Sequence, residues 1–475
     1  MLAAASNTPA IGWALPFVAF LLCIAIFPLF PRAAHWWEQN SNKLLLGLVL
    51  GAVVLGYSYQ RGFGAPLHHP IVEKLFNAAG WHIDSTDSHA VSAPGLPALI
   101  ATLGNATMEY LPFMALLFSL YTISGGIAVR GDIPAHPSTN TLLLALGGVI
   151  ANLIGTTGAS MLLIRPLLNT NSERRRVKHT VIFFIFIVSN VGGCLLPIGD
   201  PPLFLGFLRG VPFTWTLDLW REWAFMLGAL LIIYYVWDTR EYKAEDPSAL
   251  AKDETQKQRI RVLGLSNVIW LAAVMAAVAI FDPNRTIPGT SITPPPFMRE
   301  GILLVLVLIS WRTTPAGLRH AAGFNFIAIA EVAALFVGIF ITMQVPIEIL
   351  NARGGELGLT KPWHFFWATG ALSSFLDNAP TYVVFFETAN SMTHAAGDGI
   401  FPLLSGEFIR QDLLVAISLG AVFMGANTYI GNGPNFMVKS IAEQSGVKMP
   451  SFFGYMAYSC AVLLPLFLLV SWIFM

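Results

Sequence analysis

Two aspartates stand inside long apolar stretches of the sequence and are the first candidates for chemistry. Asp200 directly precedes Pro201-Pro202, and Asp377 lies in the short polar stretch LDNAPT. Burying an ionised carboxylate among apolar groups is costly, so each acid is expected to face a protein interior and serve a purpose there. The alternative for each acid is a structural cap that accepts hydrogen bonds from nearby backbone amides.

Hydroxyl and amide side chains gather near these acids in four polar interruptions of apolar sequence. Oxygen atoms are the preferred ligands of hard cations such as sodium, by extension of the rule for calcium and magnesium. The same groups at helix N-termini could hold an organic anion. The acids favour a cation, because they would repel an anion unless sodium or protons bound first. The predicted binding residues are Thr156, Thr157, Ser160, Ser189, Asn190, Asp200, Asp377, Asn378, Thr381, Asn427, Thr428 and Asn432.

Narrower roles are predicted for a few of these positions. Proton coupling is assigned to Asp200, Asp377 and Glu331, the last of which falls nine residues into an apolar run over 323–343. The sodium site is assigned to Asn190, Asp377, Asn378 and Asn427. No cofactor is expected beyond the transported sodium and protons.

The composition indicates a chain built for a lipid bilayer. Hydrophobic residues make up 55% of the 475 and charged residues 11%, against roughly 45–50% and about 25% in soluble proteins. Basic and acidic residues number 27 each, so the net charge gives no sign of a nucleic-acid partner. The expected partners are the bilayer and a small inorganic ion or organic anion. No catalytic motif of a known enzyme class is evident, so the chain is not expected to be an enzyme.

The predicted fold is an all-α polytopic membrane protein with about ten transmembrane helices and two re-entrant hairpins. A span needs about 20 apolar residues, and the hairpins, 141–168 and 362–388, are each interrupted by a polar stretch containing Gly or Pro. The predicted spans are 11–30, 43–60, 109–129, 179–208, 221–237, 263–281, 300–312, 323–343, 411–438 and 452–474.

Charge placement tests this count. If each hairpin enters and leaves on one side, the loops on the inner side hold 17 of the 27 Lys and Arg residues, as the positive-inside rule requires. The hairpins then open from opposite sides of a bacterial-type inner membrane, as in an inverted repeat. The predicted parts are an N-terminal half over 1–237, a solvated cytoplasmic linker over 238–262 and a C-terminal half over 263–475.

Each hairpin is followed by a span with a second polar break. Asn190 precedes Pro197 by seven positions, and Asn427 precedes Pro434 by seven, so both pairs are related by an offset of 237 residues. Broken backbone at membrane depth survives only where it is buried in protein or lines a wet cavity. Four breaks in two matched pairs therefore predict one central transport site with discontinuous helices.

Four stretches carry a family resemblance: GTTGASMLLIRPLL (155–168), SNVGGCLLPIGDPPLFLG (189–206), SFLDNAPTYVVFFE (374–387) and GANTYIGNGPNFMVKSIAE (425–443). They resemble the ion-transporter superfamily. Within it the chain looks most like the bacterial sodium/proton antiporter or citrate transporter family, which is related to NhaD-type antiporters and arsenite permeases. The resemblance covers both halves, and members of the superfamily carry sodium, arsenite, citrate or dicarboxylates.

The resemblance implies two inverted halves, a scaffold that forms a homodimer, and elevator-like alternating access. It maps the tip residues and the unwound residues onto the transport site: Thr156, Thr157, Asp377, Asn378, Asn190, Asp200, Asn427 and Asn432. Dicarboxylate transporters of the superfamily carry paired Ser-Asn-Thr tips. Here the matching stretches read Ser-Asn-Val from Ser189 and Ala-Asn-Thr from Ala426, which weakens the carboxylate hypothesis.

The leading hypothesis is a secondary antiporter that exchanges cytoplasmic sodium for external protons. The alternative is a cation-coupled symporter of citrate or another dicarboxylate. A membrane enzyme is a third class that no motif supports.

Overall fold

The computed structural model describes residues 8–85, 90–255, 258–283, 285–393 and 397–475, and it is mostly helical. Many helices begin with proline in the first turn, where its missing amide hydrogen costs nothing. The helices of the first half are α1 (Leu15–Ile26), α2 (Pro31–Trp37), α3 (Asn40–Gln60), α4 (Pro70–Ala78), α5 (Leu96–Ser124), α6 (Pro137–Ile154), α7 (Thr156–Thr170), α8 (Lys178–Ile187), α9 (Pro201–Leu208), α10 (Trp220–Lys243) and α11 (Pro247–Thr255).

The second half of the chain also contains both long and short helices. Its helices are α12 (Ser266–Ile280), α13 (Met298–Thr313), α14 (Leu318–Ala321), α15 (Ile327–Thr342), α16 (Gln344–Arg353), α17 (Pro362–Ser373), α18 (Asn378–Ser391), α19 (Gln411–Met424), α20 (Gly433–Gln444) and α21 (Phe452–Phe474).

Short antiparallel strands occur between the helices, so the prediction of an all-α chain needs a small correction. Three sheets hold them: β1 (Pro66–Leu67), β3 (Ala90–Ser92) and β2 (Ile83–Ser85) in that order, then β4 (Ala128–Asp132) with β5 (Gln258–Leu263), and β6 (Ile400–Pro402) with β7 (Phe408–Arg410).

The long helices pack in two groups. In the first, which we call the α5 bundle, α3, α5, α12, α13 and α15 pack against one another, and α1 covers α3 and α15. In the second, the hairpin bundle, α6 packs on α7, α17 on α19, and α9 on α18, with α8, α10, α20 and α21 around them. The four predicted breaks all lie in the hairpin bundle.

Five described helices are long and apolar enough to cross a membrane, or six if the bent pair Ile327–Thr342 and Gln344–Leu357 counts as one span. The sequence predicted ten spans, and that count stays a prediction. Several predicted spans are shorter as helices. For example, the 15 residues of α12 rise only about 22 Å, less than a hydrocarbon core of about 30 Å.

Two acids in the described part of the predicted linker, 238–262, contact the rest of the chain. Asp238 is fully buried and pairs with Arg174 at 2.6 Å. Glu245 accepts a hydrogen bond from the Arg176 amide at 2.6 Å. These acids hold the linker against the basic loop before α8, because a buried charge needs a partner of opposite sign.

Candidate functional site

The first tip is the tight connection between α6 and α7. Gly155 alone joins them with φ of 78°, a left-handed conformation that favours glycine. Thr156 begins α7, and its backbone amide donates to Gly199 O at 2.8 Å. One turn further along α7, the Ser160 and Ser189 hydroxyls lie 2.8 Å apart, so the tip is tied to the neighbouring broken helix.

The first broken helix runs from α8 to α9. Helix α8 ends at Ile187, a short 3₁₀ turn covers Val191–Cys194, and irregular backbone continues to Asp200. Asp200 is the extended residue that caps α9. Its side chain is 1% exposed, so the acid that the sequence placed in this break is buried in the protein.

Asp200 is the centre of the site because three different elements donate to its carboxylate. Thr156 Oγ1 donates to Oδ1 at 2.9 Å, Asn432 Nδ2 donates to Oδ1 at 3.2 Å, and Asn378 Nδ2 donates to Oδ2 at 2.6 Å. Among the described residues no Lys, Arg or His forms an ion pair with Asp200. Neutral donors alone therefore stabilise its charge.

The second tip joins α17 to α18. Asp377 caps α18, and its Oδ1 accepts from the Ala379 amide at 3.1 Å. The Thr381 hydroxyl donates to Asp377 O at 3.0 Å. Asp377 is half-buried, and in the described part of the chain its Oδ2 has no hydrogen-bond partner. One carboxylate oxygen of Asp377 therefore caps α18, and the other is available to bind an ion.

The second broken helix runs from α19 to α20 and supplies asparagines. Asn432 caps α20 and also donates to Ser189 O at 3.0 Å and to Asn190 Oδ1 at 3.3 Å. Asn190 Nδ2 in turn donates to Asn435 Oδ1 at 2.8 Å. Hydrogen bonds between amide side chains therefore join the two broken helices.

Asn427 and Thr428 pack against the second tip rather than against Asp200. Asn427 Nδ2 donates to Ser374 Oγ at 2.8 Å, and Thr428 Oγ1 donates to Ser374 O at 2.5 Å. Ser374 was not among the predicted binding residues. Its own hydroxyl donates to backbone oxygen, at 2.7 Å for Gly370 O.

Two buried amide oxygens at the site accept no hydrogen bond from any residue that the structure describes. They are Asn378 Oδ1 and Asn427 Oδ1. The orientation of Asn378 is fixed, because its other atom must donate to the Asp200 carboxylate. The orientation of Asn427 is fixed because the Ser374 proton goes to a backbone oxygen, so the amide must supply the donor between them. Both free atoms are acceptors that could bind a cation.

Thr156, Asn378 and Asn432 donate hydrogen bonds to Asp200, and we call these four residues the Asp200 cluster. Four helices begin at this cluster. Thr156 and Asn378 are the first residues of α7 and α18, while Asp200 and Asn432 cap α9 and α20. Each helix N-terminus carries about half a positive charge from its backbone dipoles. The four ends together therefore offset the charge of about two carboxylates, which is the number that Asp200 and Asp377 provide.

The two breaks share a backbone feature that corrects the predicted offset. A Cβ added to Gly199 would lie 2.4 Å from Gly193 O, and one added to Gly431 would lie 2.6 Å from Gly425 O. These glycines are related by 232 residues, as are the caps that follow each pair. The predicted offset of 237 is therefore wrong: Pro197 lies in irregular backbone, whereas Pro434 lies in the first turn of α20.

Two predicted residues stand apart from the network. Thr157 is half-buried and makes no side-chain hydrogen bond to any described residue. Glu331 lies in α15 of the α5 bundle, where its carboxylate meets Lys43 Nζ at 2.5 Å with 43% of its side chain exposed. The structure does not bring Glu331 to Asp200, because the apolar run that carries it packs on α3.

A cavity of about 480 Å³ lies elsewhere in the molecule, at the far end of α7 from Thr156. Arg130 and Arg165 line it, together with Asp132 and Glu173. Basic and acidic side chains are thus balanced in the lining, so the charge of this cavity favours neither an anion nor a cation.

The chain was compared with models of known protein families. A family model described as "Putative citrate transport" matches residues 74–475, a range that contains every residue of the Asp200 cluster. No curated protein matches the chain.

Proposed function

Because the chain belongs to this citrate transport family and is a multi-pass membrane transporter, we propose that it exchanges sodium for protons at the Asp200 cluster. The family points to transport rather than catalysis. The relationship to NhaD-type antiporters and arsenite permeases stays a prediction.

The main support for a cation is the pair of amide oxygens, Asn378 Oδ1 and Asn427 Oδ1, that accept no hydrogen bond from a described residue. An anion site would offer unpaired donors, whereas Asn378 Oδ1 and Asn427 Oδ1 are unpaired acceptors. A buried acceptor without a partner costs about 1–3 kcal/mol, and a bound sodium ion would recover that cost through direct coordination. Asp377 Oδ2 is a third oxygen at the same tip without a hydrogen-bond donor.

The two aspartates suit a competition between sodium and protons. A carboxylate that binds a cation has lost its proton, so one acid cannot hold both at once. Asp377 has an unpaired oxygen for this exchange, while Asp200 already accepts three hydrogen bonds. We assign ion binding to Asp377 with Asn378 and Asn427, and we assign Asp200 to coupling through Asn378, which donates to it.

The finer architecture belongs to the same proposal. We propose that the α6–α7 and α17–α18 pairs are re-entrant hairpins from opposite sides of a bacterial-type inner membrane, in an inverted repeat. The convergence of both tips on Asp200 and the basic loops of the predicted inner side support it. Formation of a homodimer rests on the family resemblance alone. A cysteine at the exposed position 175, in a chain whose three native cysteines are replaced by alanine, should react only with reagent from inside the cell.

The transport test uses purified protein in liposomes with an imposed proton gradient, followed by a pH-sensitive dye. Added sodium or lithium should dissipate the gradient, and potassium should dissipate it more slowly. Empty liposomes provide the background rate. A preparation that folds and reconstitutes but gives no sodium-dependent dissipation would refute sodium/proton exchange.

Symport of citrate or a related dicarboxylate is the second candidate function. The family and the four helix N-termini favour it, since backbone amides at helix starts can hold carboxylates once a cation has neutralised the acids. The same liposomes test it with labelled citrate. Sodium-driven accumulation of citrate inside the vesicles would replace the exchange proposal with symport.

A further inference from the structure

A buried arginine joins the two bundles at a place away from Asp200. Arg209 directly follows α9, and its Nε donates to Glu387 at 2.7 Å while its Nη2 donates to Glu109 at 3.0 Å. The three side chains are only 10%, 11% and 11% exposed. Ion pairs so well shielded from water are not the weak pairs of a protein surface.

The two carboxylates belong to different bundles. Glu387 lies in α18, which packs on α9 within the hairpin bundle, whereas Glu109 lies in the middle of α5. The rings of Phe113 and Phe204, whose centroids lie 6.5 Å apart, bridge the same interface between α5 and α9. Arg209 therefore holds one partner in its own bundle and one in the other bundle.

The charges in this group are unequal. One guanidinium faces two carboxylates, and its buried Nη1 has no hydrogen-bond partner among the described residues. Loss of the Glu109 contact would leave Arg209 still neutralised by Glu387, so no positive charge is stranded in the hairpin bundle. The Glu109 carboxylate would lose its partner, and water would have to enter the interface to hydrate it. Opening of this contact is therefore coupled to entry of water between α5 and α9.

We propose that Glu109 and Arg209 form a latch that closes the interface between α5 and α9 and opens when the hairpin bundle moves against the α5 bundle. The proposal rests on the transporter function proposed above. Arg209 keeps Glu387 throughout, and this contact fixes α9 and α18, whose N-termini lie at Asp200. Glu109 acts as a positioning residue for the bundles and does not touch the transported ion.

The test measures how often the interface opens, by thiol labelling next to the latch. Leu208→Cys is introduced into the full chain after Cys23, Cys194 and Cys460 are replaced by alanine. Position 208 precedes Arg209 and is half-buried, so N-ethylmaleimide should react there slowly while the interface is closed and faster when water enters. In proteoliposomes, Glu109→Gln should accelerate labelling by about fivefold or more, the lower end of typical coupling between two states.

Glu348→Gln is the matched control. Glu348 is also a shielded acid paired with an arginine, Arg61 at 2.5 Å, but it lies in α16 and has no contact with Arg209. Its labelling rate should equal that of the parent. Equal rates for Glu109→Gln and the parent, or equal acceleration by both variants, would overturn the latch. Labelling needs no transported ion, so a failure of sodium exchange would refute the proposed function and leave this result standing.

Discussion

The two broken helices have the same backbone and different chemistry. In each, two glycines six residues apart bring their backbones into close contact. An extended N-cap residue follows, and the next helix has proline in its first turn. The cap is Asp200 in the first half and Asn432 in the second. The backbone of a repeated unit is set by glycine and proline at fixed places, while the cap residue is free to differ in charge.

At the breaks the acid lies in the first half, whereas at the tips it lies in the second half. The first tip presents Thr156 to the site, and the second presents Asp377 and Asn378. Each half thus supplies one acid, at the break in the first half and at the tip in the second. The two breaks are alike in backbone, but exchanging their residues would not restore the same site.

The largest effect is expected from making the two caps alike with Asp200→Asn. The new amide nitrogen would face either the donor of Asn378 or the donors of Thr156 and Asn432. Each pair of buried donors that face each other costs about 1–3 kcal/mol. Sodium/proton exchange in proteoliposomes should fall to the rate of empty vesicles. Asp412→Asn, at a half-exposed acid paired with Arg410, is the control and should keep wild-type exchange. Substantial exchange by Asp200→Asn would mean that the caps are equivalent.

Asp377→Asn tests the acid of the second half. Asparagine caps helices about as well as aspartate, so the thermal unfolding midpoint should stay close to that of the parent. The sodium concentration for half-maximal exchange should rise about 100-fold or more, because a charge about 4 Å from a cation contributes about 4 kcal/mol at an effective dielectric constant of about 20. An unchanged sodium dependence would reduce Asp377 to a structural cap.

Gly199→Ala and Gly431→Ala test the shared backbone. The added methyl groups would lie 2.4 Å and 2.6 Å from backbone oxygens of the paired glycines, so each variant should lose about 1–3 kcal/mol of stability by overpacking. Unfolding in detergent measures this loss. Gly228→Ala in α10, where a Cβ would meet no atom within 4 Å, is the control. Loss in only one of the two variants would show that the breaks are not equivalent in shape.

Much of the site could be predicted from residue type alone. Polar residues at four breaks in apolar sequence had to meet, because unpaired backbone cannot face lipid. The structure joins Thr156, Asn378 and Asn432 on Asp200 as this argument requires. The family match agrees with transport by a citrate-type carrier and leaves the transported ion open.

Other features could not be predicted because they depend on tertiary contacts. The offset of 237 relied on two asparagines, whereas glycine contacts across each break fix it at 232. Ser374 matters because its backbone and hydroxyl receive Thr428 and Asn427, and no local signal shows that. The hydropathy of α15 could not show that Glu331 has Lys43 beside it, 288 residues away in the sequence.

The smallest effect on exchange is expected at Glu331, an acid that belongs to neither break. Its carboxylate is partly in water, but only 4% of the side chain of its partner Lys43 is exposed. Glu331→Gln therefore leaves a buried ammonium without its partner and should lower the free energy of unfolding rather than alter transport. Its sodium dependence and its exchange rate should match those of the parent in the same vesicles. A coupling carboxylate must lose and regain its proton during transport, so a pronounced fall in exchange by Glu331→Gln would place a third titrating acid outside the two broken helices. Lys43→Met then distinguishes a titrating acid from a structural ion pair, because it removes the pair but keeps the acid. A titrating Glu331 should support exchange in Lys43→Met, whereas loss of a required ion pair should lower it.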